Sequence, residues 1–187
     1  MRHVFLIRNV NLGQRGHPSA ADLLGAFAAA GAADAVSVQS NGTVVVESTD
    51  PSALAEAVED ALEGATGIRR EVFALPLTVI ASIVAEHANR PDASRLELTV
   101  HAAPVAAANE EVAREAQRRG RCRVLTAGEH EGTAWAIMLN EVERQSNGTP
   151  VVERITGGPA TSRSLATLRK VVERFGDSGS TGAAKVR

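Results

Sequence analysis

The chain of 187 residues has a single cysteine, Cys122, and that scarcity excludes an internal disulfide or a cysteine-rich metal site. A reducing compartment follows as the expectation. Neither sign of charge is in excess: 20 basic side chains stand against 22 acidic ones, for a net charge of −2. The attraction to phosphate that supplies most non-specific nucleic-acid affinity is therefore missing, and neither nucleic acid nor an anionic membrane is expected as a partner. Aromatic residues make up only 3% of the chain, too few to interleave with arginines as stacking platforms for single strands. The longest apolar run near the start, residues 4–7, is too short for a signal-peptide core or a membrane span. The expected localisation is cytoplasmic. What is present, 44% hydrophobic and 22% charged residues, is the composition of an ordinary globular protein of one large domain or two small, intimately packed ones.

Val4, Phe5, Leu6 and Ile7 are apolar on both faces, which predicts a central strand covered on two sides. After a loop over residues 9–16, Ser19 and Asp22 have the spacing of a helix start, and Leu23, Leu24, Phe27 and Ala30 recur at helical intervals up to Gly31. Val36 and Val38 alternate with polar residues, and Val44 to Val46 follow Asn41-Gly42, which predicts a hairpin with a type I′ turn. Asp50 caps a third segment with Pro51 in its first turn, carrying Leu54, Val58, Ala61 and Leu62 up to Gly64. A strand over residues 70–74 completes the order β-α-β-β-α-β, the ferredoxin-like unit. The second half is expected to repeat this less completely. A connecting helix over residues 77–87 leads to a strand at 96–100 and a helix capped by Asn109. Two strands then pair across residues 128–132, and Ser162 caps a last helix, which leaves this half one strand short. The fold class is α+β, two linked ferredoxin-like halves with mainly antiparallel sheets, at residues 1–76 and 77–176. The Gly/Ser-rich residues 177–187 are expected to be a disordered tail.

One nonapeptide nearly recurs, QSNGTVVVE at residues 39–47 and QSNGTPVVE at 145–153. Val44 can donate to a sheet ladder, whereas Pro150 cannot. The first copy is therefore expected as a hairpin and the second as a helix capped by Thr149 and closed by Gly157.

The loop after the first strand concentrates Arg8, Asn11, Gly13, Gln14, Arg15 and Gly16 between a strand and a helix. Backbone amides, a helix N-terminus and guanidinium groups can converge on an anion there. The glycine spacing and lysine of a nucleotide P-loop are missing. The competing reading is a solvated loop whose glycines only make turns. Arg163, beside Thr161 and Ser162, is a second candidate anion ligand at the start of the last helix. The Asn41-Gly42 hairpin is expected at the opposite end of the sheet and to be structural. Arg118, Arg119, Arg121 and Arg123 read as helix-end and outward strand charges. Glu129, His130 and Glu131 are neighbours on one turn and cannot converge on a metal. His87 reads as a packing residue, and Cys122 as a buried strand residue without an activating base. No catalytic constellation emerges, and neither a metal nor a cofactor is implied.

These stretches resemble the uncharacterised bacterial family known as domain of unknown function 1697. Its opening L-R-G-I-N-V-G-G is similar to residues 6–13, its Q-S-G-N-V-V hairpin to residues 39–45, and its closing A-T-T-R-N-W to residues 160–165. Asn9 stands where the family has its first loop glycine, the Gly-Asn order of the hairpin is reversed, and Ser164-Leu165 replace the final Asn-Trp. The resemblance implies two linked ferredoxin-like halves and no activity. The expected function is binding of a small anionic or phosphorylated ligand through Arg8, Asn11, Gly13, Arg15 and Arg163. The alternative is a protein-protein interaction or self-association module without catalysis, which uses an open sheet edge or face and forms a homodimer.

Overall fold

A computed structural model describes residues 1–105 and 109–176. The expected tail, residues 177–187, lies outside them.

The first half runs β1 (Arg2–Ile7), α1 (Ala20–Ala29), β2 (Val36–Gln39), β3 (Thr43–Glu47), α2 (Pro51–Thr66) and β4 (Val72–Pro76). Its sheet has the order β2-β3-β1-β4, with every neighbouring pair antiparallel. Val4 to Ile7 are all buried in the middle of that sheet, as their two-faced apolarity demands. Ser19 and Asp22 close a reciprocal capping box at the start of α1, and Asp50 caps α2 with Pro51 beside it. The left-handed stop of α2 is Gly67, one turn beyond the expected Gly64.

The second half is α3 (Leu77–His87), β5 (Leu96–His101), α4 (Glu110–Gly120), β6 (Cys122–His130), β7 (Thr133–Asn140), α5 (Gly148–Thr156), β8 (Ala160–Ser164) and α6 (Leu165–Phe175). Its sheet order, β6-β7-β5-β8, reproduces the first, also antiparallel throughout. The half is therefore complete rather than one strand short. Ser162 lies inside β8, and the cap of the last helix is Ser164, whose hydroxyl accepts from the Thr167 amide at 3.2 Å. The short polar run Thr-Ser-Arg carries no hydrophobic alternation, so only pairing with β5 reveals it as a strand. Each half thus ends in a β-strand followed directly by a helix, and α3 is the counterpart of α6, not only a connector.

The near-repeat divides as its proline requires: the first copy forms β2, its turn and β3, and the second enters α5. That helix begins at Gly148 after Asn147, not at a Thr149 cap, and ends at a left-handed Gly157. In the first copy only Gly42 has positive φ and Gln39 pairs with Thr43, so three residues form the loop and the turn is not type I′. The two-residue turn of that kind joins β6 to β7, where Glu131 and Gly132 both have positive φ and His130 faces Thr133.

Phe5, Ile7, Val44 and Val46 pack against Leu23, Phe27, Val58 and Leu62 of α1 and α2. The opposite face of the same sheet, Val4, Leu6, Val45 and Leu75, joins Leu98, Val100, Ile137 and Leu139 of the second sheet in one core, filled by Ile80 and Ile83 of α3 and Leu165 and Leu168 of α6. At about 1.5–3 kcal/mol for each fully buried aliphatic side chain, this shared layer holds the two halves together. No helix among the described residues is long and apolar enough to cross a membrane.

Candidate functional site

β1 delivers the chain into the loop of residues 8–18 at one end of the first sheet. Because β3 runs antiparallel to β1, it must begin where β1 ends. The hairpin turn of residues 40–42 therefore sits at the same end as the loop, not at the opposite one. The Leu12 amide donates to the Ser40 carbonyl at 2.6 Å and the Ile7 amide to the Gly42 carbonyl at 2.9 Å. β4 starts there too, and β8 of the second half comes in from the side, so the three segments that carry the family resemblance converge.

Arg163 stands at the centre of this convergence and is almost wholly buried. Its five N–H groups meet five acceptors: Nε donates to Thr43 Oγ1 (2.9 Å), Nη1 to Thr161 Oγ1 and the Ser162 carbonyl (both 2.8 Å), and Nη2 to the carbonyls of Ile7 (2.9 Å) and Gly42 (3.2 Å). Burial pushes its pKa down to about 10, which still leaves it charged at neutral pH. A guanidinium with every donor used has none left for a ligand, so Arg163 ties the second half to the end of β1.

Arg8 is also engaged. Its Nε donates to Glu153 Oε1 of α5 at 3.0 Å and its Nη1 to Glu71 Oε2 at 3.1 Å, while Nη2 lies 2.8 Å from Glu153 Oε1. Desolvation works against its charge, but the bonds to Glu153 and Glu71 outweigh it and raise its pKa. Glu153 also accepts from the Ala160 amide at 3.2 Å, so this pair too joins the halves. The sequence reading missed Arg70, a buried cation whose Nη1 donates to the Asn9 carbonyl and whose Nη2 donates to the Gly16 carbonyl at 3.1 Å. It gathers both ends of the loop. The only trace of it in the sequence is a charged residue just ahead of an apolar strand.

Within the loop, Gly13 and Gly16 both have φ of +80°, and a β-carbon at either would meet nothing within 4 Å. Backbone conformation, not close approach, selects glycine there. Asp22 and Ser19 already occupy the first amides of α1. The Asn11 amide donates to Nδ1 of His17 at 3.1 Å, a residue the sequence reading passed over. An amide can only donate, so Nδ1 is the acceptor in this bond. Arg15 is exposed and forms no ion pair among the described residues. With Arg8 neutralised and Arg70 turned inward, Arg15 is the cation this loop presents to solvent.

Other candidates resolve differently. The Ser162 hydroxyl lies 2.7 Å from Thr99 Oγ1 and 2.8 Å from Thr149 Oγ1, linking β8 to β5 and α5 with no imidazole in reach. Glu115 holds both Arg118 and Arg119, and Arg121 pairs with Glu141. Among the described residues no three His, Cys, Asp or Glu side chains are placed to hold a metal. His87 is buried, with no hydrogen bond on either ring nitrogen and with Nε2 3.7 Å from the Glu86 carboxylate.

Cys122 is only 2% exposed, and burial, with Glu97 and Glu141 nearby, pushes its thiol up to about 12. At pH 8 in native buffer it should therefore react with a thiol reagent at least a hundredfold more slowly than in denaturant, on the order expected from its small thiolate fraction. Equal rates in the two conditions would show that the strand does not bury it.

Among known families, the one described as protein of unknown function (DUF1697) matches residues 1–128. That span takes in the loop and the β2–β3 hairpin and stops before Arg163. No curated protein and no solved structure gives a significant match.

Proposed function

The chain belongs to the DUF1697 family, and from that premise we propose that it binds a small anionic ligand at the loop of residues 9–18, without catalysing its conversion. One observation carries the reading. The Asn11 amide holds the His17 ring through Nδ1 and leaves Nε2 free of that bond, on the same loop as Arg15, which forms no ion pair among the described residues. A guanidinium and an imidazole held in place by the backbone, on one short loop, suit a phosphate or carboxylate group. Arg8, Arg70 and Arg163 shape the site rather than contact the ligand. Asn11 and Gly13 contribute through their backbone, Asn11 by orienting His17 and Gly13 by turning the chain.

The test is a melting-temperature screen of the intact chain with a panel of nucleotides and sugar phosphates at millimolar concentration. A stabilising compound is expected to raise the melting temperature by several degrees, since a ligand at a hundred times its Kd adds about 2.7 kcal/mol. Arg15→Ala should abolish the rise while leaving the unliganded melting temperature unchanged. A panel without effect, or a rise that survives both Arg15→Ala and His17→Phe, would refute the assignment.

A further inference from the structure

A cleft of about 410 Å³ opens at the far end of the second sheet, between the last turn of α4, the first residues of β6 and the turn that precedes β5. That volume lies in the range of small-molecule sites, about 300–1,000 Å³. Five charged side chains line it, and three are neutralised by partners outside the lining. Asp92 is held by Arg90, whose Nε lies 2.8 Å from Oδ1. Glu141 is held by Arg121 at 2.8 Å, and Arg118 by Glu115 at 2.9 Å. Two cations are left over. Arg95 spends one N–H on the Glu141 carbonyl at 3.2 Å and otherwise stands 4.0 Å from an Asp92 already paired with Arg90. Arg123 is exposed, with no hydrogen bond or ion pair among the described residues.

The neutral polar side chains of the cleft are largely engaged. Gln117 donates to the Ala113 carbonyl and accepts from the Val124 amide. Asn140 donates to Glu97 and to the Arg95 carbonyl and accepts from the Asn147 amide. One N–H of Gln117 is left over among the amide donors, and the rest of what the cleft offers is positive charge beside the apolar surface of Leu139 and Cys122. A cation against a low-dielectric wall attracts an anion more strongly than one in open water, and a guanidinium fork matches the paired oxygens of a carboxylate or phosphate. We propose that this cleft is a second binding site, specific for a small organic anion, with Arg123 and Arg95 on the charged group and Leu139 against an apolar body. It lies in the other half from the loop of residues 9–18 and does not depend on the reading of that loop.

Amide spectra of the ¹⁵N-labelled chain, titrated with phenyl phosphate and in parallel with inorganic phosphate, test this. Phenyl phosphate should shift the amides of Gln117, Cys122, Arg123 and Asn140 and bind more tightly than inorganic phosphate. Arg123→Ala should weaken it at least about tenfold, the loss of one charge-assisted hydrogen bond, and Arg95→Ala should do the same. The Arg123 side chain is exposed and forms no hydrogen bond or ion pair among the described residues, so its variant should keep the native spectrum outside the cleft. Absence of shifts in the cleft, shifts confined to the loop of residues 9–18, or affinity unchanged in both variants would each overturn the proposal. The second of these outcomes would leave the loop site standing.

Discussion

Arg163→Ala is expected to lower the unfolding free energy by about 3–5 kcal/mol, from the loss of five hydrogen bonds made by a buried charged group and of the packing around it. The substitution strands the carbonyl of Ile7 away from water, at about 1–3 kcal/mol if no water enters, and takes one bond each from the Gly42 carbonyl and the Thr43 hydroxyl, which keep the Ile7 amide and Asn41 Oδ1 as partners. For a chain of this size the melting temperature should fall by on the order of 10 °C. Arg163→Lys keeps the charge but offers three donors from a single nitrogen, so it should recover only part of the loss. Urea unfolding followed by the fluorescence of Trp135, which packs against the core shared by the two halves, reads both variants. A loss below about 1 kcal/mol in the alanine variant, or a lysine variant as stable as the parent, would show that the five-bond arrangement does not hold the halves together.

Gly42→Ala is expected to cost about 2–5 kcal/mol from two separable sources. Gly42 has φ of +71°, where an L side chain adds about 1–2 kcal/mol. A β-carbon there would also lie 2.9 Å from Cβ of Val10 and 3.2 Å from Cβ of Ile7, an overpacking worth about 1–3 kcal/mol. Gly13→Ala separates the two, because Gly13 has similar φ and open space around it, so only the backbone cost applies. If the two variants lose the same stability in urea titrations, the hairpin does not press on the loop as described.

The relation between the hairpin and the loop shows what pattern reading could and could not reach. Asn41-Gly42 announces a turn from its residue types alone. That the turn lies against Val10 and Leu12 follows from the direction in which β3 pairs with β1, a relation between strands more than thirty residues apart. Thr161-Ser162-Arg163 failed for a related reason. Its residues carry neither period, so local chemistry suggests a helix cap, and pairing with β5 makes it an edge strand. Arg8 looked available from the sequence because Glu71 and Glu153 are distant in the chain. His17 went unnoticed because its role rests on a hydrogen bond to the Asn11 backbone.

The amino-acid sequence by itself determined every element but β8: where apolar residues recur at 2.0 or 3.6 positions, where Ser19, Asp50 and Asn109 start helices, where Gly157 stops one, and that Pro150 diverts the second nonapeptide into a helix. It determined the fold class as well, since those signals are local and each is encoded within a few residues. Tertiary structure alone decided which cations remain free. Whether a guanidinium meets a carboxylate, a carbonyl or water depends on which distant segments fold against it, and that is set by the packing of two sheets on one core rather than by neighbours along the chain.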